Sequence, residues 1–300
     1  MSLALLFPGQ GSQSVGMGRA LFEASEPARR VFAEADAVLG FPLSTLCFEG
    51  PEDELRLTVN TQPAILAHSI AALRELESGS PQRLAEAAFA AGHSVGEYSA
   101  HVAAGTLAFA DALRLVRERG RFMQEAVPPG VGSMAAILGL TAEQVEAACG
   151  EAASGEIVAP ANFNSPEQTV IAGHAAAVGR ACEACTVLGA KRAIPLAVSA
   201  PFHCALMAPA RARMEPLLRE VALSDARIPV VTNADARPAS GAGELRDALA
   251  RQIDGPVRWV ESVRHLASEG VDHVIEIGPG KVLCGLVKRI DRSIRLENYG

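Results

Sequence analysis

Residues 92–96 read Gly-His-Ser-Val-Gly, directly after the small apolar run Ala87-Ala88-Phe89-Ala90-Ala91 and directly before Glu97-Tyr98-Ser99-Ala100-His101-Val102-Ala103-Ala104. A strand that turns at once into a helix brings backbone against backbone, and glycines on both sides of Ser94 permit that approach. The turn lifts the Ser94 hydroxyl above the carboxyl end of the strand. It also leaves neighbouring N–H groups unpaired at a helix start, where an oxyanion can be held. Ser94 is therefore a candidate covalent nucleophile, and acyl chemistry is the first reading. A glycine-bounded turn with an incidental serine fits the same five residues, because a pattern with three free choices recurs readily.

The surrounding pattern decides what sheet such a turn belongs to. Strand-like runs at Leu3–Phe7, Ala87–Ala91 and Val271–Ile277 alternate with helical patterns such as Pro63–Leu76 and Asp111–Glu125. That alternation predicts an α/β fold, a parallel sheet with helices on both faces. The pattern changes at Pro128-Pro129-Gly130. Beyond it come a strand at Ser133–Leu138, a helix from Thr141, strands around Ile157–Asn164 and Gln168–Gly173, a helix at Ala175–Leu188 and a strand at Lys191–Pro195. Strand–helix–strand–strand–helix–strand is the ferredoxin-like order, so residues 128–198 are expected to form an inserted small subdomain. Residues 1–127 and 199–300 then make the large subdomain, with the site in the cleft between the two. Three hundred residues suffice for both cores.

Three further segments join the Ser94 turn. Leu5-Leu6-Phe7 runs into Pro8-Gly9-Gln10-Gly11-Ser12-Gln13; Arg119 lies in Arg-Gly-Arg-Phe-Met-Gln, residues 119–124; and Ser199-Ala200-Pro201-Phe202-His203-Cys204-Ala205-Leu206-Met207 places a histidine in a proline-bounded loop. Taken in order, GQGSQ, GHSVGEY, RGxxMQ and PFHCxLM resemble the malonyl-CoA:acyl carrier protein transacylase family, which includes the acyltransferase domains of fatty acid and polyketide synthases. The resemblance runs from Leu5 to about Arg289. It implies an α/β-hydrolase-like large subdomain and a ping-pong transfer of malonyl from malonyl-CoA to the phosphopantetheine thiol of an acyl carrier protein, through O-malonyl-Ser94. It assigns His203 as base, the backbone N–H groups of Gln10 and Val95 as oxyanion hole, and Arg119 as partner of the malonyl carboxylate, to which a guanidinium offers a planar fork. It also implies that Phe202 crowds branched α-carbons and that Asn162 and Gln252 orient His203.

Each residue has a plainer alternative. Most histidines are packed or surface groups, and His68, His93, His101, His174, His265 and His273 are read so. Arg114, Arg117 and Arg121 share the helix of Arg119, where an arginine can simply be solvated. The glycine loop at Gln10 lacks the lysine of a phosphate cradle; the first lysine is Lys191. A hydrolase using this elbow would carry a triad acid between serine and histidine, and the only aspartate there, Asp111, looks like a helix N-cap. The expectation is thus a Ser–His dyad oriented by neutral oxygens, which suits transfer from thioester to ester. The rivals are a serine thioesterase or acyl hydrolase, a trans-acting malonyl acyltransferase of a polyketide synthase, and a non-enzymatic carrier-docking subunit.

Composition excludes several other classes. With 27 basic against 34 acidic residues the net charge is −7, which argues against nucleic acid as a partner. Prolines 195, 201 and 209 interrupt the one long uncharged stretch, 193–210, so no membrane span is expected. The short apolar start, Leu3–Phe7, reads as a strand and not a signal peptide, predicting a cytoplasmic protein with reduced cysteines. Cys182 and Cys185 supply one i,i+3 pair, too few for zinc, and neither metal nor tightly held cofactor is expected. An acidic carrier would dock on basic positions, with Lys191, Arg192, Lys281, Lys288 and Arg289 as candidates. Without a zipper or repeat, the chain is expected to be a monomer.

Overall fold

The computed structural model describes residues 2–300. Among the described residues there are ten strands: β1 Ser2–Phe7, β2 Ala87–Gly92, β3 Gly132–Leu138, β4 Val158–Ser165, β5 Gln168–His174, β6 Arg192–Pro195, β7 Val230–Val231, β8 Pro238–Ala239, β9 Val271–Ile277 and β10 Arg295–Tyr299. They form two sheets, ordered β10-β9-β1-β2-β7-β8 and β4-β5-β3-β6. The first is parallel except at its β7–β8 edge. The second is antiparallel throughout, with two helices between its strands in the βαββαβ order anticipated for residues 128–198.

Strand periodicity explains the layering. Along β1, Leu3, Leu5 and Phe7 enter one core, with Ile65, Ile70 and Leu73 of the helix Thr58–Gly79. Ala4 and Leu6, on the opposite face, enter a second core with Trp259, Val263 and Leu283. A strand covered on both faces reads as one continuous apolar run, which is why Leu3–Phe7 lacks alternation. The small sheet divides its residues similarly. Ala135 and Ile137 pack with the helices Ala142–Ala152 and Ala175–Val187, while Met134 and Ala136 turn toward the large core. Backbone bonds from Phe163 N to Val257 O (2.9 Å) and from Val257 N to Ala161 O (2.8 Å) tie β4 to the large unit.

Two expected helix starts are corrected. The helix expected from Pro63 begins at Thr58, leaving Pro63 in its second turn. Proline there removes the N–H that would bond the carbonyl of Val59, and Arg117 Nη1 donates to that carbonyl instead (3.3 Å). The helix expected from Asp111 begins at Phe109, with Ala108 at the N-cap position. Asp111 is therefore an ordinary first-turn acid, paired with Arg114 at 2.9 Å. Among the described residues, no helix is long and apolar enough to cross a membrane.

Candidate active site

The loop after β2 makes the turn its sequence requires. Ser94 has φ 53°, the left-handed region that non-glycine residues seldom enter, and Gly96 begins the helix Gly96–Ala104. A Cβ on Gly92 would overlap the carbonyl of Gly96, and one on Gly96 would overlap that of Phe7. Asn233 braces the strained turn: its Oδ1 accepts from Ser94 N at 2.7 Å, and its Nδ2 donates to Gly92 O at 2.6 Å. Val95 stands at the N-cap of the helix, so its amide belongs to the positive end of the dipole. Gln10, in the loop after β1, lines the same cavity, and its side chain donates to Thr58 Oγ1 at 3.5 Å.

His203 comes to Ser94 from 109 positions away, with Nε2 2.7 Å from Oγ. It too sits at positive φ, 60°. Its Nδ1 faces two carbonyl oxygens, Gln252 O at 2.9 Å and Gly255 O at 3.2 Å. Carbonyls only accept, so Nδ1 carries the proton and Nε2 presents a lone pair to the serine. Burial, reinforced by the Arg119 charge, lowers the imidazole pKa to about 3, which keeps the ring neutral and its Nε2 lone pair unprotonated at ordinary pH. The expected orienting role of Asn162 is corrected here. Asn162 lines the cavity from β4, but Nδ1 is already committed to two carbonyls. Gln252 orients the ring through its main chain, which leaves its side-chain amide for other partners.

That amide meets Arg119. The guanidinium is 1% exposed, unlike its helix neighbours. Nη1 donates to Gln62 Oε1 (2.8 Å), and Nη2 donates to Gln252 Oε1 (2.8 Å) and Ser94 Oγ (3.2 Å). Desolvation lowers its pKa, opposed by Tyr98 and Glu97. Arg114 and Arg121 pair with exposed acids, and Arg117 bonds Asn60 and lies 4.4 Å over the Phe41 ring. Arg119 thus presents a buried cation held only by neutral oxygens, beside the nucleophile. A cavity of about 100 Å³ adjoins it, lined among others by Gln10, Ser94, Phe202 and His203 and by Asn162 and Leu196. A larger groove of about 860 Å³, bordered by Glu143, Phe163 and Arg264, contains no nucleophile paired with a base.

Gln62, Asn233 and the Gly255 carbonyl escaped the sequence reading, since none lies in a motif that marks it. Glu97 was passed over although it stands within GHSVGEY, and that place in the motif was the available signal; the structure buries it in the elbow helix.

A serine held in strain at the end of a parallel strand, bonded to a neutral imidazole and flanked by a buried arginine, defines a serine acyltransferase. The sequence model described as an acyl transferase domain matches residues 4–295. The malonyl CoA-acyl carrier protein transacylase of Escherichia coli K12 is 51% identical over 96% of this chain and 92% of its own length; that of Bacillus subtilis is 49% identical over 98% and 92%. The acyl-carrier-protein S-malonyltransferase of Bartonella henselae superposes with a TM-score of 0.98 at 45% identity, covering 100% of this chain and 96% of that one. A malonyl-transacylase solved in complex with a type II polyketide synthase acyl carrier protein superposes at 0.96, with 48% identity over 99% and 96%. The chain belongs to the acyl transferase family, among the malonyl-CoA:acyl carrier protein transacylases.

Proposed function

We propose that this chain transfers malonyl from malonyl-CoA to the thiol of a holo-acyl carrier protein through O-malonyl-Ser94. One observation carries the choice of acyl group: among the described residues, the buried guanidinium of Arg119 has two amide oxygens and the serine hydroxyl as hydrogen-bond partners, and no carboxylate. Glu97, whose charge it feels, makes no hydrogen bond to it and stands behind Gln252, so a substrate carboxylate supplies the direct anionic partner that a buried cation needs. The names of the relatives support the same acyl donor, and the complexed relative supports a carrier protein as acceptor.

In the first half-reaction His203 Nε2 takes the Ser94 proton while Oγ attacks the thioester carbonyl. The N–H groups of Gln10 and Val95 hold the oxyanion, each such donor being worth about 3–4 kcal/mol. Collapse breaks the C–S bond, and CoA leaves with the proton that His203 returns. The carrier thiol then gives its proton to His203, attacks the ester and frees Ser94, which recovers that proton. The imidazolium formed at each step rests on two carbonyl dipoles, a weaker support than a carboxylate but sufficient for a thioester. Phe202, buried at the cavity wall, disfavours α-branched acyl groups.

The large subdomain comprises residues 1–127 and 199–300 and the small one 128–198, with the cavity at their junction. The acidic carrier approaches over Lys191, Arg192, Lys281, Lys288 and Arg289, and the protein works as a cytoplasmic monomer. The same chemistry serves a carrier of fatty acid synthesis and one of a polyketide synthase.

Incubation with malonyl-CoA is expected to add one malonyl group to Ser94, read by peptide mass spectrometry; a label on a cysteine, or one that persists in Ser94→Ala, sinks the assignment. The pH profile tests the base. Because the depressed pKa of His203 keeps it unprotonated, kcat/KM for malonyl-CoA should stay level as pH falls past 6.5, where an ordinary imidazole is half protonated. An acid limb centred at 6.5 or above would show that burial does not depress the base, and its loss or retention in His203→Ala decides whether His203 is that base.

A further inference from the structure

Glu97 is wholly buried beneath the nucleophile, and neither its ion pairing nor its helix explains its placement. As a first-turn acid of Gly96–Ala104 it gains from the helix dipole, yet its carboxylate makes no cap to its own helix. Oε2 instead reaches across to two distant segments. It accepts from the backbone N of Asn233 at 2.9 Å and from Gln252 Nε2 at 2.8 Å. Oε1 has no hydrogen-bond partner, and His101 Nε2, 4.0 Å away, belongs to a ring that burial keeps neutral. Burial drives the carboxyl pKa up to about 7, a sign of how poorly this position solvates an acid. Glu276 is the contrasting case: its two oxygens accept from Leu283 N and Cys284 N, capping the helix Val282–Ile290.

The two residues that Glu97 holds are those that set the reacting groups. Asn233 fixes the elbow through Ser94 N and Gly92 O. Gln252 donates to Ser94 O as well as to Glu97, and its Oε1 faces Arg119. An amide is asymmetric, so anchoring its NH₂ on a carboxylate compels its oxygen toward the guanidinium. The main chain of the same Gln252 orients His203.

We propose that Glu97 is a positioning residue that sets acyl-group selectivity: from beneath the elbow it fixes Asn233 and the flip state of Gln252, and through Gln252 it aims Arg119 at the cavity. This rests on the reading of Arg119 as the carboxylate partner. Removing Glu97 leaves the Gln252 NH₂ with the Ser94 carbonyl alone, which loosens its flip state, and the guanidinium loses one of its two amide oxygens whenever the amide turns. An acetyl group, which has no carboxylate, does not use that alignment.

The test compares kcat/KM for malonyl-CoA with that for acetyl-CoA. The ratio does not depend on how much of the enzyme is correctly folded, so a merely structural role leaves it unmoved. Glu97→Ala is expected to lower the ratio by about tenfold or more. Glu97→Gln can present its amide oxygen where Oε2 accepts both bonds, and it should recover at least half of that loss on a logarithmic scale. If Glu97→Ala does not fold, Glu97→Asp, whose carboxylate falls one methylene short of both donors, takes its place with the same expected loss. A ratio within threefold of wild type in the folded variant, while Ser94 still takes up malonyl, overturns the role of Glu97 and leaves the proposed function standing. A wild-type enzyme that forms no malonyl-Ser94 removes the proposed function itself.

Discussion

Single-turnover acylation of Ser94 by malonyl-CoA is expected to slow by about 10²–10⁴-fold in His203→Ala, the range that a positioned general base supplies. The geometry gives the effect its size. Nε2 is 2.7 Å from Oγ, Nδ1–H is pinned by two carbonyls, and the ring is held neutral, so the lost group is a base already aligned and unprotonated. Both half-reactions should suffer, because the same nitrogen receives the serine proton in one and the thiol proton in the other. The measurement is quenched-flow formation of the Ser94 adduct, followed by its transfer to carrier protein. Acylation at the wild-type rate would show that a different base operates, and none of the other six histidines lies within hydrogen-bond distance of Oγ among the described residues.

Arg119→Ala is expected to collapse the preference for malonyl-CoA over acetyl-CoA, and to invert it if the emptied volume eases acetyl entry. Truncating one partner of a buried charge pair costs about 2–5 kcal/mol, which corresponds to roughly 30-fold to a few thousand-fold in the ratio of kcat/KM values. The guanidinium is so placed that the loss should fall on malonyl alone: it is dry, it is held by Gln62 and Gln252, and it points at the serine where the acyl chain begins. Arg119→Lys keeps a charge but not the fork, so its ratio should lie between wild type and the alanine variant. A ratio that changes by less than about threefold, under 1 kcal/mol, excludes Arg119 as the carboxylate partner.

The difference between these two residues shows what local sequence can carry. The turn at Ser94 was legible from five residues, because it needs Gly92 and Gly96 whatever surrounds it, whereas reading Ser94 as a nucleophile drew on the three other segments as well. The strands of both sheets were legible for a related reason: a short apolar run bounded by turn residues marks a strand buried on both faces, as β1 and β3 are, while which residue faces which layer emerged only from the packing. His203 and Arg119 were singled out by family resemblance, since nothing in their own segments distinguishes a histidine or arginine that will be buried from one that will be solvated.

Tertiary structure alone decided the rest. Gln252 was expected to orient His203 without a choice between main chain and amide; its carbonyl faces the ring, and the amide serves Arg119, Ser94 and Glu97. The start of the helix at Thr58, ahead of Pro63, depends on Arg117 of another helix satisfying the carbonyl that proline frees. Asn233 reaches Ser94 across 139 positions, and Glu97 reaches Gln252 across 155. Hydrogen bonds of this kind have directions fixed by the packing of whole elements, to within an ångström and some tens of degrees. The chain order determined which residues can enter the core and where the backbone must turn; which buried polar atom meets which was determined only when the sheets and helices closed around them.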